Sequence, residues 1–396
     1  VSFIFTIIGL MVSLDIVWWI VLSRLTNHAG RVIISIFMLA MMVGLIVIIA
    51  ARMSRSGWDR LVPKFAVSAI FIWHFIGLGL FTLIGLLLIP ILVGQKIISH
   101  KSPTASEHSV KSGEWSRREF VRFSAALVPP VLTFGLTGLA LHQLNRFRVR
   151  RFVLPIPDLP SALDGTTIAQ VSDMHVGRFT KGEVLEKTVR TVNELRADLV
   201  LLTGDLINDA LADLDTGLGL ARRMEARFGV AIIEGNHDLI ENPREFETRV
   251  RASGIPFLLD QSMTIDVHGV RIQLLGLSWT RGYGKDRDAA IGADVRKLLL
   301  QRENDTFPIL LAHHPHAFDA AADAGIPLTL SGHTHGGQLM LNEQLGFGPA
   351  LFHYWSGLYQ RGASKLIVSN GVGNWFPLRV NAPAEIVHIT LRRGQT

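Results

Sequence analysis

Five short polar runs in the second half of the chain carry side chains suited to divalent cations: VSDMH (171–175), LTGD (202–205), IEGNHD (233–238), LAHH (311–314) and LSGHTH (330–335). They supply Asp173 and His175, Asp205, Asn236 and His237, His313 or His314, and His333 and His335. Residues two apart in an extended segment point to one side, so Asp173 with His175, and His333 with His335, can each converge on one point. The chain has no cysteine, which excludes disulfides and thiolate metal sites. Imidazole, carboxylate and amide donors in this number exceed what one ion takes and suit two ions sharing a carboxylate. Two ions about 3.5–4 Å apart can hold a bridging hydroxide and clamp a phosphoryl group for in-line attack. Gly204, Gly235, Gly332, Gly336 and Gly337 leave room for tight turns beside these groups.

The elements that deliver them alternate in type. TTIAQVSD, DLVLLTGD and GVAIIEGNHD are short apolar runs with polar ends, expected as strands. Between them, GEVLEKTVRTVNELRA places Val184, Leu185, Val189, Val192 and Leu195 at helical spacing, and a second helix is expected near Leu211 to Arg227. This β-α-β-α-β order implies a sheet layered with helices, an α/β fold. MTIDVHGVRIQLLGLSW is expected to turn as a hairpin at His268-Gly269, and PILLAHHP and LTLSGHTH add strands. Each of the five polar runs lies at the C-terminal end of a strand, the edge where open α/β sheets bind ligands.

DMH, GD, GNHD, HH and GHTHGG in this order resemble the five signature blocks of calcineurin-like metallophosphoesterases, over roughly Thr167 to Arg392. The tail GLYQRGASKLIVSNGVGNWFPLRVNAPAEIVHITL resembles a membrane-associated bacterial branch of that family. The resemblance implies a two-sheet α/β/β/α sandwich and two divalent transition-metal ions, for which the mixed donors suit Mn, Fe, Zn or Ni. It also implies that Asp173, His175 and His335 bind one ion, Asn236, His313 and His333 the other, and that Asp205 bridges them. His313 is preferred to His314 because the family places its ligand directly after the strand. His237 carries no metal in that pattern. It would protonate the leaving group or stabilise phosphoryl charge as a catalytic residue, with Asp238 orienting its imidazole. Lone histidines such as His142, His268 and His388 are expected to be ordinary surface or core residues.

The first half has a different character. Up to Arg150 there are fifteen Lys and Arg against five acidic residues, whereas the remainder is slightly acidic. The pI of 9.8 and mean hydropathy of +0.33 therefore reflect basic residues flanking apolar runs. A nucleic-acid partner is not expected from that distribution. Val1 to Leu22, Val32 to Ala51, Phe65 to Gln95 and Phe123 to Leu144 are each long enough to cross a bilayer. The expected organisation is three transmembrane helices in 1–98, a polar and basic linker in 99–122, a fourth transmembrane helix in 123–145, and the phosphoesterase domain in 151–396. Asp15 inside the first run either marks a functional site or sits near the membrane interface beside Trp18 and Trp19, and the second is expected. SRREFVRFSAALV (116–128) resembles a twin-arginine export signal, which would place Arg117 and Arg118 in the cytoplasm and the second half outside. The competing reading is an ordinary basic flank.

These features together lead to an integral membrane, metal-dependent phosphohydrolase acting on phosphomonoester or phosphodiester bonds. NEQLGFGPALFHYWSGLYQRG carries Leu345, Phe347, Leu351, Phe352, Tyr354 and Trp355. It is either a loop folding over its own core or a lip for the bilayer or an acyl chain, the latter pointing to a lipid-linked substrate. Arg178, Arg281, Lys285 and Arg379 are either phosphate contacts or solvated charges. The alternatives are a cytoplasm-facing pyrophosphatase for a nucleotide-activated glycolipid, and a sensor or transport component that uses the fold for binding.

Overall fold

Long uncharged runs leave the backbone of the first unit one way to satisfy its own polar groups in lipid, which is the α-helix. The structure is a computed structural model describing residues 2–53, 61–87, 116–144, 146–280, 285–342, 345–346, 348–350 and 352–394. The chain divides into two compact units, Val1–Leu141 and His142–Thr396. The first contains α1 (Ser2–Leu25), α2 (His28–Met53), α3 (Lys64–Leu87) and most of α4 (Arg117–Gln143). All four are long and apolar enough to cross a membrane. Residues such as Leu10, Ile36, Leu86 and Val131 expose their apolar side chains, as a lipid-facing surface requires. Pro129 and Pro130 stay within α4. The third apolar stretch beyond residue 87, the linker up to 115 and the Arg118 side chain lie outside the described residues.

Asp15 turns into the helix bundle. It is fully buried, and its carboxylate accepts the Trp73 indole N–H at 2.7 Å and faces His74 Nε2 at 2.9 Å. The physical reason is that α3 brings two hydrogen-bonding side chains to a carboxylate that would otherwise be stranded. Trp18 and Trp19 also turn to neighbouring helices, donating to Thr82 at 3.0 Å and Ser35 at 2.9 Å.

The second unit is a two-sheet sandwich with helices outside, the fold class expected. One sheet contains β1 (Phe147–Ile156), β2 (Thr167–Val171), β3 (Leu199–Thr203), β4 (Gly229–Ile233) and β13 (Ala384–Arg393), in the order β1-β13-β2-β3-β4. The other contains β5 (Gln261–Val267), β6 (Val270–Gly276), β7 (Phe307–Leu311), β8 (Leu328–Ser331), β11 (Gly357–Arg361) and β12 (Ser364–Val368), in the order β11-β12-β8-β7-β6-β5, while β9 (Met340–Asn342) and β10 (Leu345–Gly346) pair as a separate ribbon. β1 begins at Phe147, four residues before the expected domain start, because its basic first half pairs in parallel with β13 from Ala384 onward. The β5–β6 hairpin turns through His268 and Gly269 at φ of 56° and 80°, a pair of left-handed residues suited to a two-residue loop.

The near-continuous apolar strands follow from having both faces covered. Along β3, Leu199 and Leu201 enter the layer between the sheets, where they join Ile309, Leu311, Leu328 and Leu330. Val200 and Leu202 face the other way. They pack with Leu185, Val189 and Val192 of α5 (Glu183–Leu195), Leu218 of α6 (Leu214–Arg222) and Phe246 of α7 (Pro243–Ala252). On the far side, α8 (Lys285–Leu298) and α9 (Ala317–Asp323) cover the second sheet through Ile291, Val295, Ala317 and Ala321. β2, β3 and β4 run parallel, as do β7 and β8, so five strand ends meet at one edge.

Candidate metal centre

Each polar group stands two or three residues past the end of its strand: Asp173 after β2, Asp205 after β3, Asn236 after β4, His313 after β7 and His333 after β8. The backbone turns sharply there to bring side chains back over the sheet edge. Asp173, His175, Asp205, His333 and His335 all have positive φ, between 42° and 73°. Non-glycine residues rarely adopt that conformation, and clusters of it mark sites whose surroundings enforce strain. Two glycines make the approach possible. A Cβ at Gly235 would collide with the Asp205 carboxylate, and one at Gly332 with Ser172 Oγ and Asp173 Oδ2.

The side chains converge. Asp173 Oδ1, His175 Nε2 and His335 Nε2 lie 3.8, 3.2 and 2.9 Å from one another. Asp205 Oδ2 is 3.5 Å from His175 Nε2 and 3.1 Å from His313 Nε2. His333 Nδ1 is 2.8 Å from Asn236 Oδ1. Around an ion with bonds of about 2.0–2.2 Å, neighbouring ligand atoms stand roughly 3–3.5 Å apart. The first trio has nearly that spacing. His313 Nε2 is buried 3.1 Å from Asp205 Oδ2 and 3.8 Å from Asp173 Oδ1, with no well-directed hydrogen bond to either carboxylate. Donor types, spacing and this cluster of carboxylates around an imidazole nitrogen fit divalent metal binding. Asp205 belongs to ligand groups on both sides, with His175 and His237, and with His313 and His333.

Electrostatics point the same way. Burial and the His237 charge hold His175 well below the usual imidazole range; burial and His313 do the same to His333, leaving both neutral lone-pair donors. Burial would raise the Asp205 carboxyl, but His313 and His237 outweigh it and lower the group to about 2. At His313 burial works downward, and the carboxylates of Asp205 and Asp173 overcome it, raising the imidazole to about 9. His314 stands aside: its Nδ1 accepts the His316 N–H at 3.3 Å, and burial followed by the Arg287 charge lowers it to about 2.

His237 lines a cleft of about 300 Å³ with Asp205, Asn236, His333, Phe352 and Trp375. Its Nδ1 donates to the Asn208 carbonyl at 2.6 Å, which directs Nε2 as the free nitrogen. Asp238 does not hold this imidazole. Its carboxylate accepts the backbone N–H of Ile207 at 3.0 Å and of Gly235 at 2.9 Å, clamping together the loops that carry Asp205 and Asn236. The physical reason is geometric: those two amides converge on the side chain at position 238, while a carbonyl already satisfies the ring at 237.

Other expectations also change. Tyr354 and Trp355 are buried, Trp355 packing with Met340 and Ala382, so this part of the aromatic segment folds over its own core. Phe352 instead stands 5.6 Å from the His333 ring, and Leu345 is exposed. Phe347, Leu351 and Arg281 lie outside the described residues, as does the Lys285 side chain. Arg379 is neither solvated nor in the cleft. Fully buried, it donates to the carbonyls of Asn370, Gly371, Gly373 and Ala382 and to Asn374 Oδ1, and so fixes the chain behind His335. The sequence reading passes over Trp279, whose ring lies 5.0 Å from His333 and 5.5 Å from His313. Its signal in the sequence is a polar and aromatic run (LSW) directly after β6, the same pattern that marks the candidate ligands.

Residues 166–337 match the family described as calcineurin-like phosphoesterase. The uncharacterized metallophosphoesterase YkuE of Bacillus subtilis (strain 168) is 30% identical over 291 residues, which cover 70% of this chain and 98% of that protein. A transmembrane protein with metallophosphoesterase domain from Danio rerio is 29% identical over 304 residues, 73% of this chain and 66% of that protein. An uncharacterized metallophosphoesterase of Helicobacter pylori (strain J99 / ATCC 700824) is 30% identical over 231 residues, 57% of this chain and 59% of that protein. With its site and these relatives, the chain belongs to the calcineurin-like metallophosphoesterase family.

Proposed function

We propose that the protein is a membrane-anchored phosphohydrolase that works with two divalent transition-metal ions. The observation that carries this reading is Asp205, whose carboxylate lies between His175 and His313 and is shared by both ligand groups. Asp173, His175 and His335 would hold one ion and Asn236, His313 and His333 the other, with Asp205 bridging. When bound, such ions supply charge neutralisation for the phosphoryl oxygens and lower the pKa of water. The chain's own residues do the rest. His237, positioned by the Asn208 carbonyl, presents Nε2 to the cleft as the group that hands a proton to the leaving oxygen. Phe352 and Trp375 form apolar walls that suit an organic leaving group rather than bare phosphate.

The finer reading is a lipid-linked phosphoester handled on the outer side of the membrane. The membrane unit, the Phe352 and Trp375 walls and the twin-arginine-like stretch support it. Purified full-length protein assayed with a metal series on soluble and lipid-linked phosphodiesters tests both levels. Asp205→Asn should lower turnover at least about 10²-fold, because transition-state charge stabilisation is lost. Wild-type turnover in that variant overturns the two-ion reading. Equal kcat/KM on the two substrate classes overturns only the lipid preference.

A further inference from the structure

Asp15 and His74 are the buried ionisable side chains among the described residues of the membrane unit. Asp15 Oδ1 accepts from Trp73 Nε1 at 2.7 Å, and Asp15 Oδ2 lies 2.9 Å from His74 Nε2. The other ring nitrogen, His74 Nδ1, is 2.6 Å from the Ile70 carbonyl. A carbonyl only accepts, so Nδ1 carries a hydrogen. The remaining contact needs one more, placed either on Nε2, giving imidazolium and carboxylate, or on Oδ2, giving two neutral groups. Both descriptions hold one shared proton and no net charge. Removing it would set two lone pairs face to face with a buried negative charge.

A helix staple does not require this chemistry. The same unit joins its helices twice with neutral pairs, Trp18 to Thr82 and Trp19 to Ser35. Ionisable residues inside a membrane are costly and mark functional sites far more often than structural ones. The backbone adds a second observation. Trp73–Gly77 is a π turn, in which Leu78 N–H reaches back to the Trp73 carbonyl, and such turns concentrate at functional sites. Aromatic rings pack against the Trp73 that holds Asp15: Phe37 and Phe81 lie 5.0 and 5.8 Å from it. Among the described side chains, the other charged groups on these helices lie toward their ends. They are Arg24 on α1, His28 and Arg31 on α2, Lys64 on α3, and Arg117, Glu119, Arg122 and His142 on α4. At about 1.5 Å of rise per residue, Arg24 and Lys64 lie more than about 13 Å along their helices from the pair.

We propose that Asp15 and His74 form a proton-binding site within the membrane unit, separate in chemistry from the metal centre. In the proposed site the resting pair is carboxylate and imidazolium, and one proton taken from bulk water converts it into carboxylic acid and imidazolium, with net charge +1 and no electron transfer. The two hydrogens then oppose each other across the Oδ2–Nε2 contact, and the pair opens at the π turn. Release of the proton to water restores the closed, neutral pair.

The test uses the full chain in phosphatidylcholine vesicles, with infrared difference spectra between alkaline and acidic buffers. A protonated-carboxyl band should appear reversibly on acidification and vanish in Asp15→Asn. His74→Gln keeps a donor for Asp15 but removes the imidazole that shares the proton, so the acid-induced carboxyl band should differ from that of the wild type. Superimposable wild-type and Asp15→Asn spectra overturn the proposal. Should Asp15→Asn fail to fold, the His74→Gln spectrum decides: a band superimposable on that of the wild type overturns the proposal, and an altered band supports it.

Discussion

His175 Nε2 stands 2.9 Å from His335 Nε2, although 160 residues separate them. Two neutral imidazole lone pairs repel at that distance, so the arrangement calls for a cation or a proton between them. The same need on the other side of Asp205 is met by His313 and His333. Removing one imidazole from either side should therefore remove one ion and spare the other. Elemental analysis of folded protein should give close to two ions per wild-type chain and about one in either His335→Ala or His313→Ala. A wild-type ratio of one overturns the binuclear assignment.

Metal uptake should also release protons. The Asp205 and Asp173 carboxylates outweigh burial at His313 and raise it to about 9, so the metal-free protein carries that imidazole protonated at neutral pH. His175 and His333 are held well below the usual range and are already neutral. Below about pH 9 an incoming ion must displace the His313 proton, so metal affinity rises with pH and levels off above that value. Calorimetry at pH 7 in buffers of different ionisation enthalpy should show about one proton released per chain on loading. The release should disappear in His313→Ala.

The sequence made the candidate ligands legible through one regularity, polar residues directly after apolar strands. That rule depends only on sheet architecture, and it placed Asp173, Asp205, Asn236, His313 and His333 on one edge. What it could not reach were groups whose roles come from tertiary contacts. Asp238 follows His237 in sequence, yet the amides of Ile207 and Gly235 claim its carboxylate. Arg379 carries a charge that composition assigns to the surface, but four carbonyls from residues 370–382 bury it. The burial of Asp15 was out of reach for the same reason. Its partners lie 58 and 59 residues away, and hydropathy contains no information about which helix faces which.

His237 has its Nδ1 fixed on the Asn208 carbonyl, so Nε2 is the nitrogen presented to the cleft. A proton donor matters in proportion to the basicity of the departing oxygen. His237→Asn should lower kcat/KM by about 10²–10⁴-fold for an alkyl phosphodiester. A nitrophenyl ester, whose leaving group departs as a stable anion, should lose much less. Equal losses on the two substrates would instead assign His237 to phosphoryl binding.

Two glycines give opposite expectations from one substitution. Gly219 lies within α6, and a Cβ there meets open space, so Gly219→Ala should stabilise the fold by about 0.5–1 kcal/mol through the lower entropy of the unfolded chain. At Gly235 the added carbon would strike the Asp205 carboxylate, and the N–H bond to Asp238 at 2.9 Å keeps that backbone from moving aside. Gly235→Ala should cost about 1–3 kcal/mol, with a lower Tm. Because the atom displaced is the shared ligand, bound metal should fall together with stability. Thermal unfolding with elemental analysis on both variants separates the effects. If Gly235→Ala keeps two ions per chain, Asp205 is not held in place by the close approach of this loop.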